Sequence, residues 1–316
     1  MKRSKLFFQA SLRLLFLLIA LPMVGYAQVP KDNPEAFTPQ ELDRMLAPIA
    51  LYSDSLLAQI LMTSTYPLEV IMADRWLKEN ETLQGEQLND ALDKQPWDAS
   101  VKALVPFPKV LSMMSEKLDW TPMLGEAFLA QEKDVIKTVQ RLRQKAYEAG
   151  NLKSSEEQTV TVEEEIIVIA PSDPRVVYVP VYDPWWVYGP WWWSAYPPYV
   201  CYPYPIRVAI IPGRIWFGPR CFVGPYWGHA WGRWNWRNRR VYANVNRNIN
   251  VNRRHFNTSK MRLTQWRHDP THRRSVAYRK PVSRTRFSGV NRSAVEKRRD
   301  SMATSDGAYA HGTTAR

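Results

Sequence analysis

His268 and His272 stand four apart in the run His-Asp-Pro-Thr-His. On a helix that spacing puts both imidazoles on one face, as in a metal site. The glutamate that accompanies such a pair is absent, and Pro270 lies between them. Asp269-Pro270 reads instead as a cap and helix start, with both histidines facing solvent among arginines. They are the chain's candidates for metal binding, on a pattern that fits one poorly. Cys201 and Cys221 are its two cysteines. An even count in an exported chain favours a disulfide; a metal site at this spacing would lack the usual CxxC pair. Among the acids, Asp54, Glu69 and Asp74 lie beside apolar helix faces, and Asp54 or Asp74 could pair with Arg75 in a buried ion pair. Capping and surface roles are their default, and Asp183 before Pro184 reads as a turn former. No Ser/His/Asp or Cys/His arrangement has recognisable spacing, and no glycine-rich phosphate loop occurs. The pattern therefore names no catalytic residue and calls for no cofactor.

Binding chemistry is better represented. Tyr178 to Trp193 reads YVPVYDPWWVYGPWWW and holds five of the fourteen tryptophans. Its three prolines exclude a helix, because proline removes a backbone donor and clashes with the preceding turn. Each indole carries a large apolar face that must be covered by the chain or by a partner. Trp185, Trp186, Tyr188, Trp191, Trp192 and Trp193 are the first candidate contact residues. Arg233, Trp234, Trp236 and Arg237 are the second group, where the aromatic region turns basic. Tryptophan and tyrosine suit both sugar-ring stacking and burial at headgroup level.

The charge distribution narrows the partner. The chain carries +13 overall. Residues 28–183 hold 15 Lys+Arg against 26 Asp+Glu, whereas residues 184–316 hold 24 against 4, and 21 of those 24 are arginine. Arginine makes forked contacts to phosphate and carboxylate and stacks on aromatic rings. The N-terminus explains why nucleic acid is not the expected partner. Lys2, Arg3 and Lys5 precede an apolar run, Leu14 to Val24, and Gly25-Tyr26-Ala27 supplies the small residues of a cleavage site. This is a signal peptide over residues 1–27, too short to span a bilayer. No cysteine lies near the cleavage site, which argues against a lipoprotein, and no later stretch is long and apolar enough for a membrane span. The expected location is the periplasm or cell envelope. The expected partners are lipid headgroups, lipopolysaccharide or peptidoglycan, or the chain's own acidic half.

The elements that must position these residues follow. After a linker, 28–37, an acidic helical domain covers 38–151. Thr38-Pro39-Gln40-Glu41 is a capping box with proline at the first helical position. Apolar residues then recur at helical spacing in six to eight short segments, interrupted at Pro67, Pro96, Pro106 and Pro108. Asp98 caps the turn carrying Val101 and Leu104. One short helix around Leu124 and Phe128 precedes Asp134. The last carries Val135, Val139, Leu142 and Ala146 and ends at Gly150-Asn151. Segments apolar on one side only must pack on each other. Residues 152–165 read as a charged connector. Within 166–184, Ile166–Ala170 and Arg175–Val179 read as the two strands of a β-hairpin closed by Pro171-Ser172-Asp173-Pro174. Residues 185–240 form a Trp/Tyr/Pro-rich region without helix or strand period. Residues 241–316 form an Asn/Arg-rich basic tail, mostly disordered, in which 244–253 alternate asparagine with other residues. The fold class is thus mainly α: a compact multi-helix domain, a short β-hairpin, then a largely irregular or disordered C-terminal region.

Three stretches carry a resemblance: LAPIALYSDSLLAQILMTSTYPLEVIMADRW at 46–76, QPWDASVKALVPFPKVLSMM at 95–114 and IVIAPSDPRVVYVPVYDP at 167–184. They resemble the exported bacterial proteins of the domain of unknown function 3300 family, over roughly Leu42 to Trp193. WRHDPTHRRSVAYR at 266–279 is similar to a C-terminal segment of such proteins. Between Trp193 and Val241, relatives often carry a Gly/Ala-rich apolar segment. Here that stretch is aromatic and interrupted by Arg207, Arg214 and Arg220, which argues against membrane insertion. The resemblance implies no activity. The reading is an exported, non-catalytic binding or scaffold module. Its alternatives are a structural protein whose acidic half docks its basic half, and a hydrolase of envelope polymer using Asp54, Asp74 or Glu69.

Overall fold

The computed structural model describes residues 36–204, 213–223, 232–243 and 264–287. The expected signal peptide and the Asn-rich run at 244–253 lie outside them. The helical part begins where its capping box predicts. The Thr38 hydroxyl accepts from the Glu41 N–H and the Glu41 carboxylate accepts from the Thr38 N–H, opening α1 (Pro39–Leu46). Then come α2 (Asp54–Ser64), α3 (Pro67–Glu79), α4 (Gly85–Asp93), α5 (Ala99–Leu104), α6 (Pro108–Glu116) and α7 (Thr121–Glu148). Proline occupies the first turn of α3, α6 and α7, where its missing donor is not needed. Asp98 caps α5 through the Ser100 N–H.

The two helices expected on either side of residue 131 are halves of α7. Gln131, at φ −141° and ψ 48°, breaks the helix between them. Its side-chain amide accepts from the Phe37 N–H and donates to the Phe37 carbonyl, so the break also fixes the entry of the chain. Gly150, at φ +73°, ends α7, with its N–H on Tyr147 O and that of Asn151 on Ala146 O.

The core is centred on α2, which is buried from Leu56 to Ser64. It packs on α5, α7 and, from the C-terminal part, the strand at 232–235. Gly125 of α7 lies so close to α2 that a Cβ there would sit 2.2 Å from the Ser64 carbonyl oxygen. Only glycine allows that approach. Trp120, fully buried, donates its indole N–H to Met45 O at 2.9 Å and ties α7 to α1. Among the described residues no single helix is long and apolar enough to cross a membrane; α2 and α3 would reach that length only together, and they meet at 111°.

The expected hairpin forms with a different partner. β1 (Gln158–Glu163) pairs antiparallel with β2 (Ile166–Pro171), with Glu163 opposite Ile166. The connector thus supplies a strand. Its Thr-Val-Thr-Val alternation matches the pleat, and Glu164-Glu165, with Glu164 at φ +57°, makes a tight loop. Ile167 and Ile169 of β2 are buried on the helices, and the Gln140 side-chain amide of α7 bonds both the N–H and the carbonyl of Ile167. The 175–179 run pairs far downstream instead: β3 (Val176–Val177) with β6 (Cys221–Phe222), and β4 (Pro180–Val181) with β5 (Trp216–Phe217). β7 (Gly232–Asn235), β8 (Arg240–Ala243) and β9 (Thr264–Gln265) form a small antiparallel sheet.

One further expectation is corrected. Cys201 and Cys221 are free thiols rather than a disulfide. Cys221 is held in register opposite Val177, whereas Cys201 is buried in the core. In the tail, residues 264–287 include a helical segment at 281–287, and Arg273 is buried.

Candidate binding surface and its buried anchors

The acidic residues of the helices serve as anchors for the aromatic and basic residues that follow. Asp43, on α1, is fully buried. Its Oδ1 accepts from Arg141, and its Oδ2 accepts from the indole N–H groups of Trp192 at 3.1 Å and Trp193 at 2.7 Å. Trp192 also lies under the Lys145 ammonium, 4.2 Å from the ring centre. Asp54 plays the same part at the start of α2. Its carboxylate accepts from Arg143 at 2.6 Å and from the Trp236 indole at 2.8 Å, and its carbonyl accepts from the Trp234 indole at 2.7 Å. Arg143 is itself fully buried and donates to the carbonyls of Ala50, Tyr52 and Ile167. A buried charge demands such satisfaction.

A second pair of carboxylates holds residues 264–287. Glu126 of α7 accepts from Arg273 at 2.6 Å, and Arg273 also donates to Thr65 O. Glu69 of α3 accepts from Arg274 and His272, each at 3.0 Å, and from the Asp98 N–H. The Glu69 contact holds the His272 imidazole above its ordinary value, against partial burial. His268 moves the other way: burial, then the Arg273 charge, push it down to about 3. It stacks on Tyr66 and its Nε2 meets the Tyr278 hydroxyl at 2.9 Å.

The expected contact residues therefore divide. Trp185 and Trp186 are exposed, at 40% and 54%. They project from a turn built from behind: the Asp183 carboxylate accepts from the Trp185 N–H and the Asp183 carbonyl from Trp186 and Val187. Val187 and Tyr188 are buried beneath, with the Tyr188 hydroxyl on Ala47 O. Tyr188 and Trp234 are packing residues, not surface ones, because their polar ends find acceptors in the core. Trp191, Trp192, Trp193 and Trp236 are half-buried with their indole N–H groups turned inward. Arg237 is exposed and lies 3.6 Å from Glu164. Arg233 is in β7, with its side chain outside the described residues.

The remaining chemical candidates are also corrected. His268 lies in an irregular segment and His272 in the turn that follows it, not on a helix, and they face different partners, Tyr278 and Glu69, instead of solvent. Among the described residues no group of three or more His, Cys, Asp or Glu could hold a metal. Arg75 forms neither expected pair: Asp54 takes Arg143 and Asp74 takes Lys78 at i+4. Asp54, Glu69 and Asp74 each sit in a separate ion pair, so they do not face one another as an acid and base would. The sequence reading missed Asp43, Glu126, Arg141, Arg143 and Arg273. Asp43 and Glu126 could have been noticed as acids inside apolar runs, between Leu42 and Met45 and between Leu124 and Ala127.

The arrangement defines a class: a helical core strapped by a Trp- and Arg-bearing C-terminal chain that is hydrogen-bonded to buried carboxylates. The chain belongs to the family described as Protein of unknown function (DUF3300), which it matches over residues 38–268. It is 42% identical over 195 residues to "Uncharacterized protein YacH" of Escherichia coli (strain K12), a match covering 52% of this chain and 32% of that protein. The chain thus spans about a third of that relative's length. No solved structure matches it.

Proposed function

We propose that this protein is an exported, non-catalytic module that binds a phosphate-bearing surface of the cell envelope through the Trp185–Trp186 turn and its basic C-terminal chain. One observation carries the reading: two adjacent tryptophans are exposed on a turn whose base is locked into the core. Exposed indoles on a rigid base lose little conformational freedom on insertion. Indoles settle at headgroup level, and arginines reach the phosphates around them. The signal-like N-terminus supports the location. The non-catalytic reading is supported by Asp43, Asp54, Glu69 and Glu126, whose oxygens are already engaged by tryptophan and arginine donors.

Sedimentation with phosphatidylglycerol vesicles at low and high salt tests it. Wild type should bind at low salt, and W185A/W186A should lose most of that binding while keeping its melting temperature. Binding that is equal in the variant, or no binding at all, contradicts the proposal. Binding to peptidoglycan sacculi alone would assign the turn to sugar stacking instead.

A further inference from the structure

The break in α7 opens a polar cleft of about 650 Å³ on a different set of residues from the Trp185–Trp186 turn. Six charged residues line it: Glu132, Lys133 and Asp134 from α7, Arg240 from the start of β8, Arg267 just after β9, and Arg286 from the segment at 281–287. The two acids have a local explanation. They fall in the first turn of the helix that restarts after Gln131, where carboxylates are favoured. Both are partly engaged. Glu132 Oε1 accepts from the Val241 N–H at 3.0 Å, and Asp134 accepts from the Gln131 side chain.

The cations have no such explanation. Arg240, Arg267 and Arg286 come from three separate segments of the basic half and converge on one opening in the acidic half. None of the three is in an ion pair among the described residues. Burial raises the Glu132 carboxyl above its ordinary value, and the Arg240, Arg286 and Lys133 charges act on it in the opposite sense. His268, held neutral, adds no charge to the wall. Convergent guanidinium groups that outnumber the carboxylates beside them match a multiply charged tetrahedral oxyanion, because each fork can offer two N–H donors to it. The restarted helix directs its positive end to the same place.

We infer that the cleft at the α7 break, lined by Arg240, Arg267 and Arg286, is a binding site for a phosphate group, whether free, esterified to a small alcohol, or carried by a lipid. The inference deepens the surface-binding reading by naming where a phosphate would be gripped, yet it stands on other residues. Glu132 sets the site's strength. Its carboxylate sits among the same cations, so it competes with the ligand.

Isothermal titration of the full chain with glycerol 3-phosphate tests the site apart from any membrane, and phosphatidylglycerol vesicles form the second arm. Wild type should bind glycerol 3-phosphate. Each of R240Q and R286Q should weaken binding about tenfold, the ratio expected for losing one charge-assisted contact. E132Q keeps an acceptor for the Val241 N–H but removes the competing charge, so it should tighten binding severalfold. A merely structural Glu132 would not do that. Binding in the vesicle arm alone, lost in R240Q and R286Q but kept in W185A/W186A, assigns the site to a lipid phosphate. Absence of binding in both arms, or affinities equal in wild type, R240Q and R286Q, overturns the inference. Loss of vesicle binding in W185A/W186A with soluble binding intact separates the two sites.

Discussion

Arg273 Nη2 lies 2.6 Å from Glu126 Oε1, and the two side chains are only 1% and 0% exposed. They are 147 residues apart in the chain. A fully buried pair of this kind ties the C-terminal segment into the helical core, and it does so without leaving either charge unsatisfied: Arg273 also reaches the carbonyls of Thr65, Val276 and Ala277.

Removing one member of that pair strands the other. R273A and E126A should each destabilise the protein by roughly 3–5 kcal/mol, because an unpaired buried charge remains. The double variant should cost less than the sum of the two. Urea denaturation of the three variants measures this. Deleting residues 264–316 should likewise lower the melting temperature of the helical core, since Glu126 loses Arg273 and Glu69 loses Arg274 and His272.

Asp43 offers the same test at the other end of the strap. In D43N the amide cannot serve Arg141, Trp192 and Trp193 as a charged acceptor, and its own N–H donors face them. A loss of about 3 kcal/mol is expected for this buried carboxylate. Tryptophan emission should shift to the red before global unfolding, as Trp192 and Trp193 become wetter. An unchanged emission maximum would mean that Asp43 does not hold them.

The two histidines of the C-terminal segment predict a bell in the pH dependence of stability. The folded-state value of His272 is raised, so its contribution is complete below the ordinary imidazole value and is lost as pH rises through the folded value. His268 is depressed to about 3, so the unfolded chain takes up a proton first and stability falls as pH drops below about 6.5. Each limb can slope by no more than about 1.4 kcal/mol per pH unit. Denaturation midpoints between pH 4 and 8 (roughly the range in which these groups titrate) should show the alkaline limb vanish in H272Q and the acid limb flatten in H268Q.

The thiols should be inert to redox conditions. Burial pushes Cys201 up to about 12 and Cys221 up to about 11, so little thiolate forms at neutral pH. Adding a reductant should leave the melting temperature unchanged, whereas breaking a native disulfide would typically cost 2–5 kcal/mol. Iodoacetamide labelling should reach Cys221 before Cys201, whose side chain is in the core.

What could be read in the chain was local. Thr38-Pro39-Gln40-Glu41, Asp98 and Gly150 mark helix ends through chemistry within a few residues, and the structure puts ends there. The hairpin went to a different partner because the glutamates of 156–165 masked the Thr-Val alternation of β1. β3 to β6 are two-residue strands paired across about forty residues, which leave no periodic trace. The anchors of the strap are least visible. Nothing near Asp43 points to Trp192, and nothing near Arg273 points to Glu126; only the opposite charge of the two halves hints that such pairs exist. The exposure of Trp185 and Trp186 against the burial of Tyr188 depends on the Asp183 turn and the position of Ala47, which sequence spacing does not encode.

The most direct measurement is the fluorescence of the Trp185–Trp186 pair during surface binding. The emission of W185F/W186F is subtracted from that of wild type, with and without phosphatidylglycerol vesicles. The difference spectrum should shift to the blue on adding vesicles, as exposed indoles enter the headgroup region, and high salt should reverse the shift. A difference spectrum that stays at the wavelength of solvated indole while the protein is vesicle-bound would contradict it.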